Sequence, residues 1–233
     1  LRLGAAATCG GGLLLGKRTA PLARRRGRRR RGTYAFLFGF ANAAFLPIPL
    51  SYALHGEEGV LHVSLYTAGY YPLFWTLGIW TLRGTSELKY AFHPNLIALV
   101  LGAAVGLTGT HLPELPLEVL RSLGACAIPL ALVYTGAVLA EQTLSAGGDL
   151  VPLAWIAAGK LAVLPALAFA AVRALNVPEP IASQTVLQAA MPCIAQAGLY
   201  TARFGGDVRL ASRAAFLTTI LCVVTVPFIL GRL

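Results

Sequence analysis

Charge is what this chain has least of. Asp and Glu together number 9 in 233 residues and all charged residues make up 12%, about half the share of an ordinary soluble domain. No Asp or Glu falls deep inside an apolar stretch, so these residues give no support to proton or sodium coupling through an intramembrane carboxylate, which is left to spans preceding Leu1. No apolar stretch holds an aspartate pair or an HExxH pattern, and His62, near the outer end of its span, reads as a solvated interface residue. An intramembrane enzyme therefore has no catalytic group, and no catalytic residue is assigned. Cys9, Cys126, Cys193 and Cys222 lie far apart, with no CxxC pair and no histidine at ligand spacing. They read as small buried hydrophobes, and neither a disulfide framework, a metal site nor a cofactor is expected. A signal peptide pattern is also missing.

What the chain does have is apolar residues: 57% of the total, with a mean hydropathy of +0.70. They group into stretches near the roughly 20 residues that a membrane span needs. The expected fold is therefore all-α, a polytopic membrane helix bundle. Residues 1–16 form a short apolar piece, read as the end of a span, and 17–32 a basic loop. Spans are expected over 34–54, 60–82, 95–110, 119–140, 150–175, 181–203 and 210–230. Tyr66, Tyr70, Tyr71, Trp75 and Trp80 fall in the second of these, and several suit an interfacial belt.

The net charge of +10 is concentrated in the run Arg24, Arg25, Arg26, Arg28, Arg29, Arg30 and Arg31. Flanked by apolar segments, that run reads as a cytoplasmic loop beside anionic lipid, and nucleic acid is not an expected partner. Placing it inside puts 14 of the 19 Lys and Arg residues inside by alternation, Arg83, Lys89, Arg203, Arg209 and Arg213 among them. Glu57, Glu58, Glu114, Glu118 and 178–180 then lie outside.

Two spans are broken. Pro47 and Pro49 interrupt 34–54, and Pro192 interrupts 181–203 beside Gln188. A proline within a helix removes a hydrogen bond and clashes with the carbonyl one turn back. In a bilayer the freed backbone groups must be satisfied by protein, substrate or trapped water, and such breaks mark transporter binding sites. Each broken span is followed by a Gly-acid turn (Gly56-Glu57, Gly206-Asp207) and a further span, and the two units run in opposite directions. This is the pattern of an inverted repeat, here 1–92 and 93–233. Five spans in the second unit predict a ten-span parent whose first two spans precede Leu1. Pro192 is predicted to lie near Pro49 at the membrane midplane.

The stretch 42–50 followed by Gly56-Glu57, Pro94-Asn95, Leu187-Gln188-Ala189-Ala190-Met191-Pro192 and Arg203-Phe204-Gly205-Gly206-Asp207 resemble the auxin efflux carrier family, over nearly the whole chain. That family includes plant auxin exporters and bacterial carriers of small dicarboxylates. The resemblance implies two inverted five-helix repeats whose proline-broken helices cross where the substrate carboxylate sits. Asn42 and Pro49 match the first crossing segment, Gln188 and Pro192 the second; Pro47 stands where the family has a small residue.

The expected function is a secondary transporter moving a small organic anion by alternating access, in the plasma membrane (a bacterial inner membrane). Substrate-binding candidates are Asn42, Pro47, Pro49, Gln188, Pro192 and Gln196, with unpaired N–H groups at half-helix N-termini facing the anion. Lys160, a basic group deep in a span, is a candidate for charge balance. The partners are the anion and the lipid bilayer, and a homodimer is compatible with such a carrier. The alternatives are a carrier like the bile acid/sodium symporters, which requires sodium ligands near the crossings, and a membrane receptor that does not transport.

Overall fold

The computed structural model describes residues 2–19, 27–84, 94–109, 113–140, 150–179 and 181–231, and the regular elements among them are helices. In order these are α1 (Arg2–Thr19), α2 (Gly27–Gly39), α3 (Pro47–Leu73), α4 (Ile79–Arg83), α5 (Pro94–Thr108), α6 (Glu114–Ala140), α7 (Leu150–Ala158), α8 (Leu164–Ala174), α9 (Ile181–Ala189), α10 (Ala197–Phe204) and α11 (Val208–Leu230). Single π-helical turns, Phe74–Gly78 and Gly159–Val163, join α3 to α4 and α7 to α8. Three helical runs, Glu114–Val138, Leu150–Ala174 and Val208–Leu230, are long and apolar enough to cross a membrane. The protein is an all-α membrane bundle.

Helix ends follow local chemistry. The Asp207 carboxylate accepts from Leu210 N (3.0 Å) and opens α11, while left-handed Gly205 closes α10 (φ 88°). The turn expected after residue 54 is a corner at Gly56, whose φ of 60° and ψ of −143° divide α3 into two limbs. The limbs pack closely enough for Ser51 Oγ to lie 3.1 Å from Gly59 O. A side chain at Gly56 is strained at that φ, so Gly56→Ala should cost about 1–3 kcal/mol. Thermal unfolding of the purified protein measures it.

Several boundaries differ from the sequence reading. Arg29, Arg30 and Arg31 belong to the first turns of α2 rather than to a loop; Arg24, Arg25 and Arg26 lie outside the described residues, as do Lys89 and 141–149. Being helical, Arg30 is aimed at the second half of the chain, with Nε 4.0 Å from Asp207 Oδ2, and Thr33 Oγ1 accepts from Asp207 N (2.8 Å). The first turns of α2 and the Gly206-Asp207 turn therefore share one end of the bundle. Glu114 opens α6 and Glu118 lies in its second turn instead of in a loop; an acidic group in the first turn suits a helix N-terminus.

The aromatic residues are also redistributed. Tyr66, Tyr70 and Trp75 are buried and only Trp80 is well exposed, at 47%. They belong to the core with Phe36, Phe40 and Phe74, packed largely edge to face, as Phe40 and Phe74 are at 5.5 Å and 86°. Burial is tolerable because the phenols have partners: Tyr66 Oη pairs with Thr8 Oγ1 (2.7 Å) and Tyr70 Oη donates to Ala41 O (2.7 Å).

Candidate functional site at the helix crossing

Between α2 and α3 the chain is unwound over 40–46, and between α9 and α10 over 190–196, seven residues in each case. These segments cross each other antiparallel, with Ala41 bridged to Cys193 and Asn42 N donating to Pro192 O (2.9 Å). A broken helix in a bilayer leaves backbone groups that must be paired, and here side chains from four directions pair them. Lys160 Nζ donates to Phe38 O (2.9 Å), Tyr70 Oη to Ala41 O and Gln188 Nε2 to Ala43 O (3.4 Å). Cys193 N donates to Thr218 Oγ1 on α11 (3.1 Å), and Cys193 Sγ to Leu37 O (3.7 Å). Removing one such donor strands a buried carbonyl. Tyr70→Phe should therefore destabilise the purified protein by about 1–3 kcal/mol, whereas Tyr52→Phe, at an exposed site, should leave the unfolding midpoint unchanged.

Asn42 is 2% exposed. Its Oδ1 accepts from Phe45 N (3.1 Å) and so shapes the unwound turn, while Nδ2 is buried without a partner among the described residues. Gln188, also buried, leaves Oε1 unpaired in the same sense. Gln196 occupies the position before α10 and donates through Nε2 to Tyr134 Oη of α6 (3.1 Å). The Tyr134 ring in turn lies 4.7 Å from that of Phe45, so α6 covers this side of the crossing.

The two prolines of the first segment need correction. Pro47 and Pro49 sit in the first turn of α3, and the backbone partner of Pro192 is Asn42. Proline lacks the N–H that a first helical turn leaves unused and has its φ preset, so it restarts the helix rather than breaking it. The expected supply of free amides at this N-terminus is absent for the same reason. Pro47 and Pro49 have no N–H, Ile48 N bonds Ala44 O (2.9 Å) and Leu50 N bonds Leu46 O (3.3 Å). The open donor beside the first half-helix is instead the Asn42 side chain.

Lys160 is 2% exposed and lies in the π-helical turn Gly159–Val163. Pro165 follows, and its clash with the carbonyl of Leu161 is relieved by the wider turn. The ammonium reaches Phe38 O at the C-terminal end of α2, where the helix dipole is negative. A cavity of about 510 Å³ borders the crossing at Ala41, Gln188 and Lys160 and extends between α1 and α8. Asn42, Pro47, Pro49, Pro192 and Gln196 do not line it.

Tyr70, Thr218 and Cys193 are part of the crossing yet were not among the sequence candidates. Of these, only Cys193 carried a signal, its position next to Pro192.

The family described as "Membrane transport protein" matches residues 79–230. An "Uncharacterized transporter" of Methanothermobacter thermautotrophicus is 32% identical over 223 residues, covering 88% of this chain and 70% of that protein.

Proposed function

Because the chain belongs to the auxin efflux carrier family of membrane transport proteins, we propose that this transporter is a secondary carrier for a small organic anion. Its site is the crossing of 40–46 with 190–196. The observation that carries this reading is the Asn42 side-chain N–H, buried at the crossing and without a protein partner among the described residues. A donor of this kind suits a carboxylate oxygen, which accepts charge-assisted hydrogen bonds. Asn42, Gln188, Pro192 and Gln196 are read as substrate-binding, with Pro47 and Pro49 fixing where the first half-helix restarts. Residues 1–92 and 93–233 are read as inverted repeats that move against one another around the crossing, exposing it to each side in turn. The antiparallel pairing of Ala41 with Cys193 supports that relation. The plasma membrane is the proposed location.

The test is uptake into proteoliposomes containing the full-length protein, with labelled mono- and dicarboxylates offered singly. Saturable uptake of at least one anion, competed by its unlabelled form, is expected. No uptake of any anion in either direction overturns the reading in favour of a receptor.

A further inference from the structure

The cavity beside the crossing has a polar end and an apolar body, and the transport reading leaves the space between α1 and α8 unused. Lys160 forms the polar end. Its ammonium gives one N–H to Phe38 O and has two more to give, and no Asp or Glu lines the cavity. The carbonyl end of α2 offsets roughly half a charge, so the rest of this buried cation calls for an anion. Gln188 Oε1 belongs to the same lining residue set and is an unpaired acceptor. One cation in the lining suits one carboxylate.

The body of the cavity is largely apolar, and the hydroxyls of Thr8, Tyr66 and Thr185 in its lining are already paired within the protein. Gly4, Ala7 and Gly11 present one small-residue face of α1, opposite Leu164 and Leu167 of α8 and Leu175 just beyond it. Leu167 and Leu175 are exposed, so the space opens along the flank of the bundle. Lys160 and Leu175 are separated by about 22 Å of helix at 1.5 Å per residue. Phe45, Tyr134 and Gln196 do not line it, which sets it on the other side of the crossing from α6.

We infer that this cavity is a second anion site, taking a single carboxylate on an acyl chain, with the carboxylate on Lys160 Nζ and the chain between α1 and α8. A fatty-acid carboxylate reaches it from the bilayer, where its chain already resides. Binding there is separate from carriage at the crossing.

The experiment uses the full-length protein in lipid nanodiscs, labelled with a stearic acid that bears a photoreactive diazirine in mid-chain. Cross-links should map to α1 and to the segment from Leu150 to Leu175. Saturated monocarboxylates from octanoate to dodecanoate should compete, while succinate and decyltrimethylammonium should not. Lys160→Gln should weaken competition by decanoate at least tenfold and Lys160→Arg should retain it. Ala168→Trp, which fills the cavity and leaves the lysine in place, should abolish labelling in protein that still elutes as a single species. Asn42→Ala should lose uptake yet keep the labelling, so failure of this site and failure of the transport reading are told apart. Labelling spread evenly over α6 and α11, equal competition by the cationic amphiphile, an unchanged Lys160→Gln, or a cavity that takes up no label each overturns the proposal.

Discussion

Asn42→Ala is expected to weaken anion uptake about 10- to 150-fold, the equivalent of the 1.5–3 kcal/mol carried by one hydrogen bond to a charged group. Two roles are lost together in that variant, because Oδ1 holds Phe45 N while Nδ2 is the open donor. Asn42→Asp separates them. The aspartate keeps an acceptor for Phe45 N and replaces the donor by an anionic oxygen, so the turn is retained and the substrate is repelled. Uptake should fall further in Asn42→Asp than in Asn42→Ala, because the new carboxylate opposes an anion while the alanine only withdraws a donor. Initial rates in proteoliposomes, normalised to reconstituted protein, measure this. If Asn42→Asp carries the anion as well as the unsubstituted chain does, the carboxylate is not bound at Asn42.

The sequence was most informative where a residue type is incompatible with a continuous membrane helix. Pro192 beside Gln188 predicts a break and the structure has one over 190–196; Gly56 beside two acidic residues predicts a turn, and its positive φ is that turn. Prolines mark a break only to within a turn of helix, however, because the same ring that interrupts a helix is also favoured at its start. That ambiguity explains why Pro47 and Pro49 point to the right segment while the unwound stretch itself lies just before them. Periodicity is weak in a chain apolar on most faces, so nothing local in the sequence shows that Tyr66 and Tyr70 turn inward while Trp80 turns out. Their burial depends on partners remote in sequence, Thr8 and the carbonyl of Ala41. Lys160 was recognisable as an intramembrane charge, but its partner, a backbone carbonyl 122 residues away, has no side-chain signature at all.

The crossing depends on a contact made by the short apolar segment before the arginines. Gly12 and Gly16 lie one turn apart on α1, the small-residue spacing that lets membrane helices approach through their backbones. A Cβ on Gly12 would fall on the carbonyl of Phe38, 2.8 Å from its carbon and 2.9 Å from Gly39 Cα; at Gly16 it would lie 2.7 Å from Ala35 Cα. These are backbone atoms of α2 and cannot turn aside as a side chain can. They are also the atoms at which α2 ends, where Phe38 O receives Lys160 and the unwound segment begins. Gly12→Val must therefore push α1 away from the end of α2, and is expected to cost about 3 kcal/mol or more, enough to lower the yield of folded protein and to displace the crossing. Gly10, two residues earlier on the same helix, has nothing within 4 Å of its Cβ position. Gly10→Val should stay within about 0.5 kcal/mol of the unsubstituted protein. The pair shares one helix and one substitution, so helix propensity and added apolar volume are matched, and only the approach of α2 differs. Thermal unfolding midpoints in detergent compare them directly; equal losses at the two positions would mean that α1 does not rest on the backbone of α2.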